Sequence, residues 1–170
     1  MNINNTAVDV ELRADAATIG VFPPIATLVP HSDTMLLLDS VIAADAESLT
    51  ATRTIRTDCL FFDANVGGIG SWVGIEYMAQ AIAAHSGFGA SLHGGKPKLG
   101  FLLGARSYTA HEPLFALGAL LHIHVQCQLV SDNGLGSYQC HITVADKTVA
   151  SATVTVFQPD DASQILSGSL

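Results

Sequence analysis

Glu76 lies in the most apolar helical stretch of the chain, residues 71–84, and it is the acid–base group of that stretch. No Lys or Arg lies within two helical turns of it. An unpaired carboxyl group in apolar surroundings must be solvated, hydrogen-bonded or neutralised, and its pKa is then expected to rise. A raised carboxyl pKa is what a general acid or base needs near neutrality. The alternative from position alone is a Glu76 on the solvent-facing side of the helix.

Gln80 follows Glu76 at the helical spacing of four residues, so the two side chains share one helix face. This spacing gives a carboxyl group with an amide beside it. Gln80 is therefore predicted either to orient Glu76 or to hold a substrate carbonyl group.

The seven histidines supply candidates for a second catalytic group. His31 and His111 each lie next to or near a proline in a connecting segment, where a rigid sheet can position a catalytic side chain. His122 and His124 alternate in a strand-like segment and face one side; with no clear third ligand nearby, an interface or solvent face is predicted rather than a metal site. His141 is predicted to be structural, and His85 and His93, which follow the helix in sequence, are predicted to stabilise its C-terminal end.

Two common motif classes fail on spacing. The run Gly67–Gly70 precedes a helix, but it lacks the preceding buried strand and the later acidic residue of a dinucleotide-binding unit. No serine occupies a Gly-x-Ser-x-Gly nucleophile elbow.

Composition limits the classes of partner. The 170 residues are 49% hydrophobic and 13% charged, well below the roughly 25% charge of an average domain. One domain with a real core is expected, and the low charge predicts an apolar face buried in an oligomer. The net charge of −8, with only seven Lys and Arg, argues against nucleic acid. Lys96, Lys98 and Arg106 are close in sequence and are predicted to dock an acidic partner, or else to form a solvated edge.

Cysteine usage and the N-terminal region indicate the cytoplasm. Cys59, Cys127 and Cys140 form no CxxC pair and do not require an oxidising compartment. The first twenty residues lack the basic and apolar regions of a secretory signal, and no apolar run reaches membrane-spanning length. No metal or redox cofactor is predicted.

The hydrophobic pattern predicts an α+β architecture in one domain. Residues 1–20 are interpreted as a flexible leader, 21–158 as the folded domain and 159–170 as a polar tail. The helix is predicted to start at an N-cap, Ser71, and to end near Gly87. Strand-like segments span 35–42, 49–56, 99–109, 119–130, 136–144 and 148–157. The order predicts an antiparallel sheet of about six strands around one long helix.

Three segments carry a resemblance to a known family. They are Leu28-Val-Pro-His-Ser-Asp-Thr-Met-Leu-Leu-Leu-Asp39, Gly74-Ile-Glu-Tyr-Met-Ala-Gln80 and Gly100-Phe-Leu-Leu-Gly-Ala-Arg-Ser-Tyr108. In this order and spacing, across residues 23 to 157, they resemble the hot-dog-fold 3-hydroxyacyl-(acyl-carrier-protein) dehydratases. The similarity is greatest to the divergent branch found in bacterial aryl polyene clusters.

The resemblance implies a hot-dog fold, a long helix wrapped by an antiparallel sheet, that pairs with a second unit into a double hot dog. It implies an acyl tunnel at the subunit interface and a role in fatty acid, polyene or polyketide-type biosynthesis with an acyl carrier protein. The catalytic helix carboxylate of the family falls on Glu76. The family's loop histidine has no counterpart, because residues 61–70 contain no histidine. Phe62 in this loop and the backbone near Trp72 and Val73 are candidates for binding the thioester substrate.

Three hypotheses follow. In the first, an active dehydratase, His31 replaces the loop histidine and takes the C2 proton while a protonated Glu76 assists departure of water. In the second, the chain is a non-catalytic or weakly catalytic hot-dog subunit that pairs with an active dehydratase and completes its fold and tunnel. Both a homodimer and a heterodimer with a second hot-dog subunit remain open. In the third, Glu76 alone activates water in an acyl-thioesterase. None of the three requires a cofactor.

Overall fold

The computed structural model describes residues 21–159. The predicted leader, residues 1–20, and all but the first residue of the predicted tail lie outside this range. In the described part, no helix has the combination of length and hydropathy that a transmembrane span requires.

One long helix packs on a six-stranded antiparallel sheet, which confirms the predicted α+β architecture. The helix α1 spans Gly74–Ser91. The sheet has the order β1-β2-β7-β8-β9-β5. Its strands are β1 (Ser40–Ala44), β2 (Ser48–Thr54), β5 (Phe101–Ala110), β7 (Leu120–Val130), β8 (Leu135–Val144) and β9 (Lys147–Phe157). A second, three-stranded sheet joins β3 (Phe62–Asp63), β4 (Gly68–Gly70) and β6 (Leu114–Ala116) in the order β3-β4-β6.

Period-two alternation places the core on one face of the main sheet. In β7, Leu121, Ile123 and Val125 are fully buried, while His122 and His124 between them are half-buried on the other face. The hairpin between β1 and β2 is held by the Asp45 carboxylate, which accepts hydrogen bonds from the amides of Glu47 and Ser48 at 2.8 and 2.6 Å. These alternating faces direct the apolar side chains towards α1.

The predicted boundaries of the helix are wrong at both ends. Ser71 is not the N-cap, because it begins a 3-10 turn over Ser71–Val73 and its hydroxyl donates to the Pro113 carbonyl at 3.1 Å. The helix also continues past Gly87 to Ser91. Gly87 serves close packing, since a Cβ there would lie 1.9 Å from the carbonyl oxygen of Leu28. The segment before His31 therefore lies directly against the backbone of α1.

The first predicted strand also differs from the structure. Asp33–Met35 forms a 3-10 turn, and β1 begins only at Ser40. The amide of Leu37 donates to the side chain of Gln80 and the carbonyl of Met35 accepts from it, so these backbone groups bond α1 instead of a neighbouring strand. Because these groups bond Gln80, the extended residues between Met35 and Ser40 precede the sheet and are not part of it.

Two histidines contact each other on the outer face of the sheet. The rings of His124 and His141 have centroids 4.8 Å apart, and His124 Nδ1 lies 3.0 Å from Thr50 Oγ1. Burial lowers the pKa of both side chains below the ordinary value of 6.5, and their mutual repulsion lowers that of His124 further. The unfolded chain therefore binds protons more readily than the folded chain as the pH falls below this value.

This difference predicts that the unfolding free energy decreases as the pH falls from neutrality through the window below about 6.5. In the double variant His124→Gln/His141→Gln, the decrease is expected to be shallower, because neither glutamine titrates. Denaturant unfolding at a series of pH values measures the slope, and His93→Gln, at an exposed position, is the control. A double variant with the wild-type slope would contradict the prediction.

Candidate active site

His31 and Glu76 come together at one cavity. His31 Nε2 lies 3.8 Å from Glu76 Oε1, and the two side chains are 31% and 33% exposed. This separation fits an electrostatic contact but is too long for a direct hydrogen bond. Both residues line a cavity of about 410 Å³, so a bound molecule can reach both groups. The expectation of a Glu76 enclosed by apolar groups is only partly met, because the carboxylate is hydrogen-bonded and one-third exposed.

Gln80 connects the two segments that carry these groups. It is 0% exposed, its Oε1 accepts from the Leu37 amide at 2.9 Å, and its Nε2 donates to the Met35 carbonyl at 2.8 Å and to Glu76 Oε1 at 3.0 Å. Gln80 is not among the residues that line the cavity. Its hydrogen bond to Glu76 is the contact that the predicted orienting role requires.

The segment that carries His31 is also fixed at its far end. Asp39 Oδ1 accepts from Arg53 Nη1 and Arg56 Nη2 at 3.1 and 3.0 Å, and its Oδ2 accepts from the Thr54 amide at 2.6 Å. Burial by itself would raise the pKa of Asp39, but the hydrogen bonds from Arg56 and Thr54, together with both positive charges, lower it overall. Residues 31–39 are thus bound to α1 through Gln80 and to β2 through Asp39.

The two nitrogens of the His31 ring lie in different surroundings. Nε2 faces Glu76, whereas Nδ1 is buried and has no hydrogen-bond partner. In most acid–base histidines the second nitrogen donates to a carbonyl or carboxylate that fixes the tautomer. Here that interaction is lacking.

The cavity extends from the His31–Glu76 end along α1. Its helical wall includes Glu76, Ala79, Ala83 and Ser86, a stripe at intervals of three and four residues, and it continues to Gly89, about 20 Å along the helix axis from Glu76. Small side chains on this stripe leave the space open. The opposite wall is formed by residues of β5, β8 and β9, including Phe101, Tyr138 and Val156.

Polar groups in the remote part of the cavity were not identified from the sequence. His85 Nδ1 lies 3.3 Å from the Tyr138 hydroxyl, and the Ser86 hydroxyl donates to Gln158 Oε1 at 2.9 Å. Burial lowers the pKa of His85, although contacts with Asp45 partly oppose this shift. The sequence offers no local signal for these pairs, because the partners are more than fifty residues apart.

The other predicted substrate-binding residues lie outside the wall of this cavity. Val73 is buried at 1% exposure, Phe62 packs against the core, and Trp72 is exposed with its ring 5.5 Å from that of Phe61. None of these three residues is among those that line the cavity beside Glu76.

The three predicted docking cations do not form one compact cluster. Lys96 and Lys98 are exposed in the segment between α1 and β5, close in sequence to Gly100 in the cavity wall. Arg106 is exposed within β5, about 17 Å along the strand from Phe101. Lys96 and Lys98 therefore lie near the remote end of the cavity, while Arg106 lies on the edge of the sheet.

The remaining histidine candidates are remote from Glu76 or hold structural contacts. His111 is exposed, and its backbone amide donates to the Val149 carbonyl. His93 Nδ1 lies 3.1 Å from the Gly89 carbonyl. No group of three or more possible metal ligands occurs within residues 21–159.

Comparison with known proteins identifies both a family and a fold. The model of the ApeP-like family, described as ApeP dehydratase, matches residues 23–167. A chain of the dehydratase heterocomplex ApeI:P from Xenorhabdus doucetiae is 27% identical and superposes with a TM-score of 0.80, covering 88% of this chain and 100% of that chain. No curated protein matches the sequence significantly.

More distant structures share the fold. Cj0977, a sigma28-regulated virulence protein of Campylobacter jejuni, is 14% identical with a TM-score of 0.59, over 81% of this chain and 88% of that chain. The PaaI protein of the E. coli phenylacetic acid degradation operon is 16% identical with a TM-score of 0.53, over 70% of this chain and 78% of that chain. Together with the topology, these matches confirm the predicted hot-dog fold.

The substitution Gln80→Met tests the connection between α1 and the segment of His31. It leaves the Leu37 amide and the Met35 carbonyl buried without partners, so the unfolding free energy should fall by about 1–3 kcal/mol. Hydrogen exchange at the Leu37 amide should accelerate, which mass spectrometry of the 31–39 segment measures. Gln139→Met, at an exposed position of β8, is the control. Unchanged exchange in this segment would show that Gln80 does not hold it.

Proposed function

The chain belongs to the ApeP-like dehydratase family, and we propose that it removes water from a 3-hydroxyacyl thioester at His31 and Glu76. The observation that carries this proposal is the meeting of these two side chains, 3.8 Å apart, at a long and mostly apolar cavity. Dehydration removes a proton from C2 and breaks the C3–oxygen bond as the hydroxyl group is protonated. C2 and C3 are bonded to each other, so the protein groups that act on them must lie close together. His31 and Glu76 meet this requirement.

The shape of the cavity supports an acyl chain as the bound part of the substrate. Aliphatic and small side chains, including Ala79, Ile82, Ala83 and Leu92, form much of the wall. An acyl chain with its thioester beside Glu76 can extend along α1 and bury its apolar surface there. The resemblance to dehydratases of aryl polyene clusters supports a polyene-type or fatty acyl chain.

An acyl carrier protein is the proposed donor of the substrate. Carrier proteins of this kind are acidic, and Lys96 and Lys98 are exposed cations near one end of the cavity. Their attraction for an acidic surface would raise the rate of association. Arg106 would contribute only if the carrier also contacts the edge strand β5.

A second hot-dog subunit is the proposed structural partner. β5 is an edge strand of ten residues, and along it only Phe101 and Tyr108 are partly buried. An exposed edge of this length, with Leu102 and Leu103 on it, favours pairing with another strand. The related chain in the ApeI:P heterocomplex supports a heterodimer. Activity is therefore to be measured with the chain alone and with a second hot-dog subunit.

The assay that tests the proposal supplies a 3-hydroxyacyl carrier protein and follows the loss of water by mass spectrometry. Glu76→Gln is expected to reduce the rate by about 10² to 10⁴, because a positioned acid–base group is removed. Glu47→Gln, at an exposed position outside the cavity, is the control. Loss of the acyl group instead of water would indicate a thioesterase. Dehydration that requires a partner and survives Glu76→Gln would show that this chain is a non-catalytic subunit.

The double variant Lys96→Glu/Lys98→Glu tests carrier docking. Repulsion from an acidic carrier should raise KM for the carrier-bound substrate about tenfold or more, and high salt should reduce the difference. The same acyl chain on a small N-acetylcysteamine thioester is the control and should be turned over as by the wild type. An equal effect on both substrates would contradict docking through these lysines.

A further inference from the structure

We infer that His31 acts as a hydrogen-bond donor through Nε2–H and that Glu76 alone moves the protons of the reaction. This inference rests on the proposed dehydratase function and assigns the roles within it. It reverses the expectation from the sequence, in which His31 takes the C2 proton and Glu76 is the acid. Three observations on the described residues support it.

The first observation is that His31 Nδ1 is buried and has no hydrogen-bond partner. A histidine that accepts a proton at Nε2 must carry its own proton on Nδ1, and an imidazolium carries protons on both nitrogens. Either form would place an unpaired N–H in the interior, at a cost of about 1–3 kcal/mol. The tautomer with its proton on Nε2 avoids this orphaned donor, and buried N–H groups without partners are rarer than unpaired acceptors.

The second observation is the contact between His31 and Glu76. Nε2 faces Oε1 at 3.8 Å, so a proton on Nε2 is attracted by the carboxylate, whereas a lone pair there would be repelled by it. The distance leaves no direct hydrogen bond between the two groups, so the Nε2–H remains available to an oxygen atom of the substrate.

The third observation is the placement of the Glu76 carboxyl group. Its Oε1 accepts a hydrogen bond from Gln80 Nε2 at 3.0 Å, and the side chain is one-third exposed at the wall of the cavity. The carboxyl group is therefore held where it can reach the C2 proton of a molecule bound in the cavity.

These observations define a sequence of steps. The Glu76 carboxylate takes the proton from C2, and the electron pair of that bond moves towards the thioester oxygen, which accepts the His31 Nε2–H. The pair then returns to form the C2–C3 double bond as the C3–oxygen bond breaks and its electrons leave with the hydroxyl oxygen. That oxygen takes the proton back from the Glu76 carboxylic acid and departs as water. Glu76 is again a carboxylate, and His31 has kept its proton throughout.

Two substitutions of His31 separate a donor from a proton carrier. His31→Gln keeps an N–H at the position of Nε2 but cannot exchange protons, while His31→Leu removes the donor. If His31 is a hydrogen-bond donor, the rate of His31→Gln should stay within about tenfold of the wild-type rate. The rate of His31→Leu should fall by about 10²–10³-fold, as on removal of an oxyanion donor. Equal losses in the two variants would overturn the inference while leaving dehydration at this site intact.

The tautomer can be measured without turnover. In the full chain labelled with ¹⁵N-histidine, couplings between the ring nitrogens and ring protons distinguish Nε2–H from Nδ1–H, and the His31→Gln spectrum identifies the His31 signals. Nε2–H near neutral pH supports the inference, and Nδ1–H or an imidazolium overturns it. Absence of water loss in the wild type, with or without a partner, would instead reject the proposed function, and the spectrum would still decide the tautomer.

Discussion

The hydrogen bonds of one buried amide, Gln80, determine how the rest of the site is built. It is fully buried, and a polar side chain in that position is stable only when its oxygen and nitrogen are both paired. Two of its partners are backbone groups of the 35–37 segment and the third is Glu76. The energetic requirement of one side chain thus fixes the distance between the helix and the segment that begins at His31. The sheet contributes by holding the other end of that segment at Asp39.

The parts of the site that are local in sequence could be predicted, and those that depend on distant contacts could not. The pairing of Glu76 with Gln80 follows from helical periodicity, and the resemblance to hot-dog dehydratases assigned Glu76 its role. The partners of Gln80 on the other segment are 43 and 45 residues away, and no pattern in the chain indicates them. His85 illustrates the same limit. Its position near the end of α1 suggested a structural residue, but packing against Tyr138 places it in the cavity wall.

The main sheet shows where regular patterns are informative. Long strands such as β7 and β9 span eleven residues and alternate in burial over part of that length, and their predicted limits agree with the structure within one residue. The strands of the small sheet have two or three residues, too few to show alternation. β5 is exposed along most of its length, and it also forms part of the cavity wall through Phe101. A strand that pairs with this edge would lie about 4.8 Å from the strand that encloses the cavity.

The contact between Gly87 and Leu28 has a consequence for how such proteins can diversify. A side chain at position 87 has no room, because the carbonyl of Leu28 occupies the place of a Cβ atom. The helix and the segment around residue 28 are therefore closely fitted surfaces in this chain. A chimera that takes α1 from a homologue with a larger residue at position 87 is expected to be destabilised unless residues 28–39 come from the same source. The two segments are thus expected to be coupled in their effect on stability, although about thirty-five residues of sheet and loop separate them in the chain.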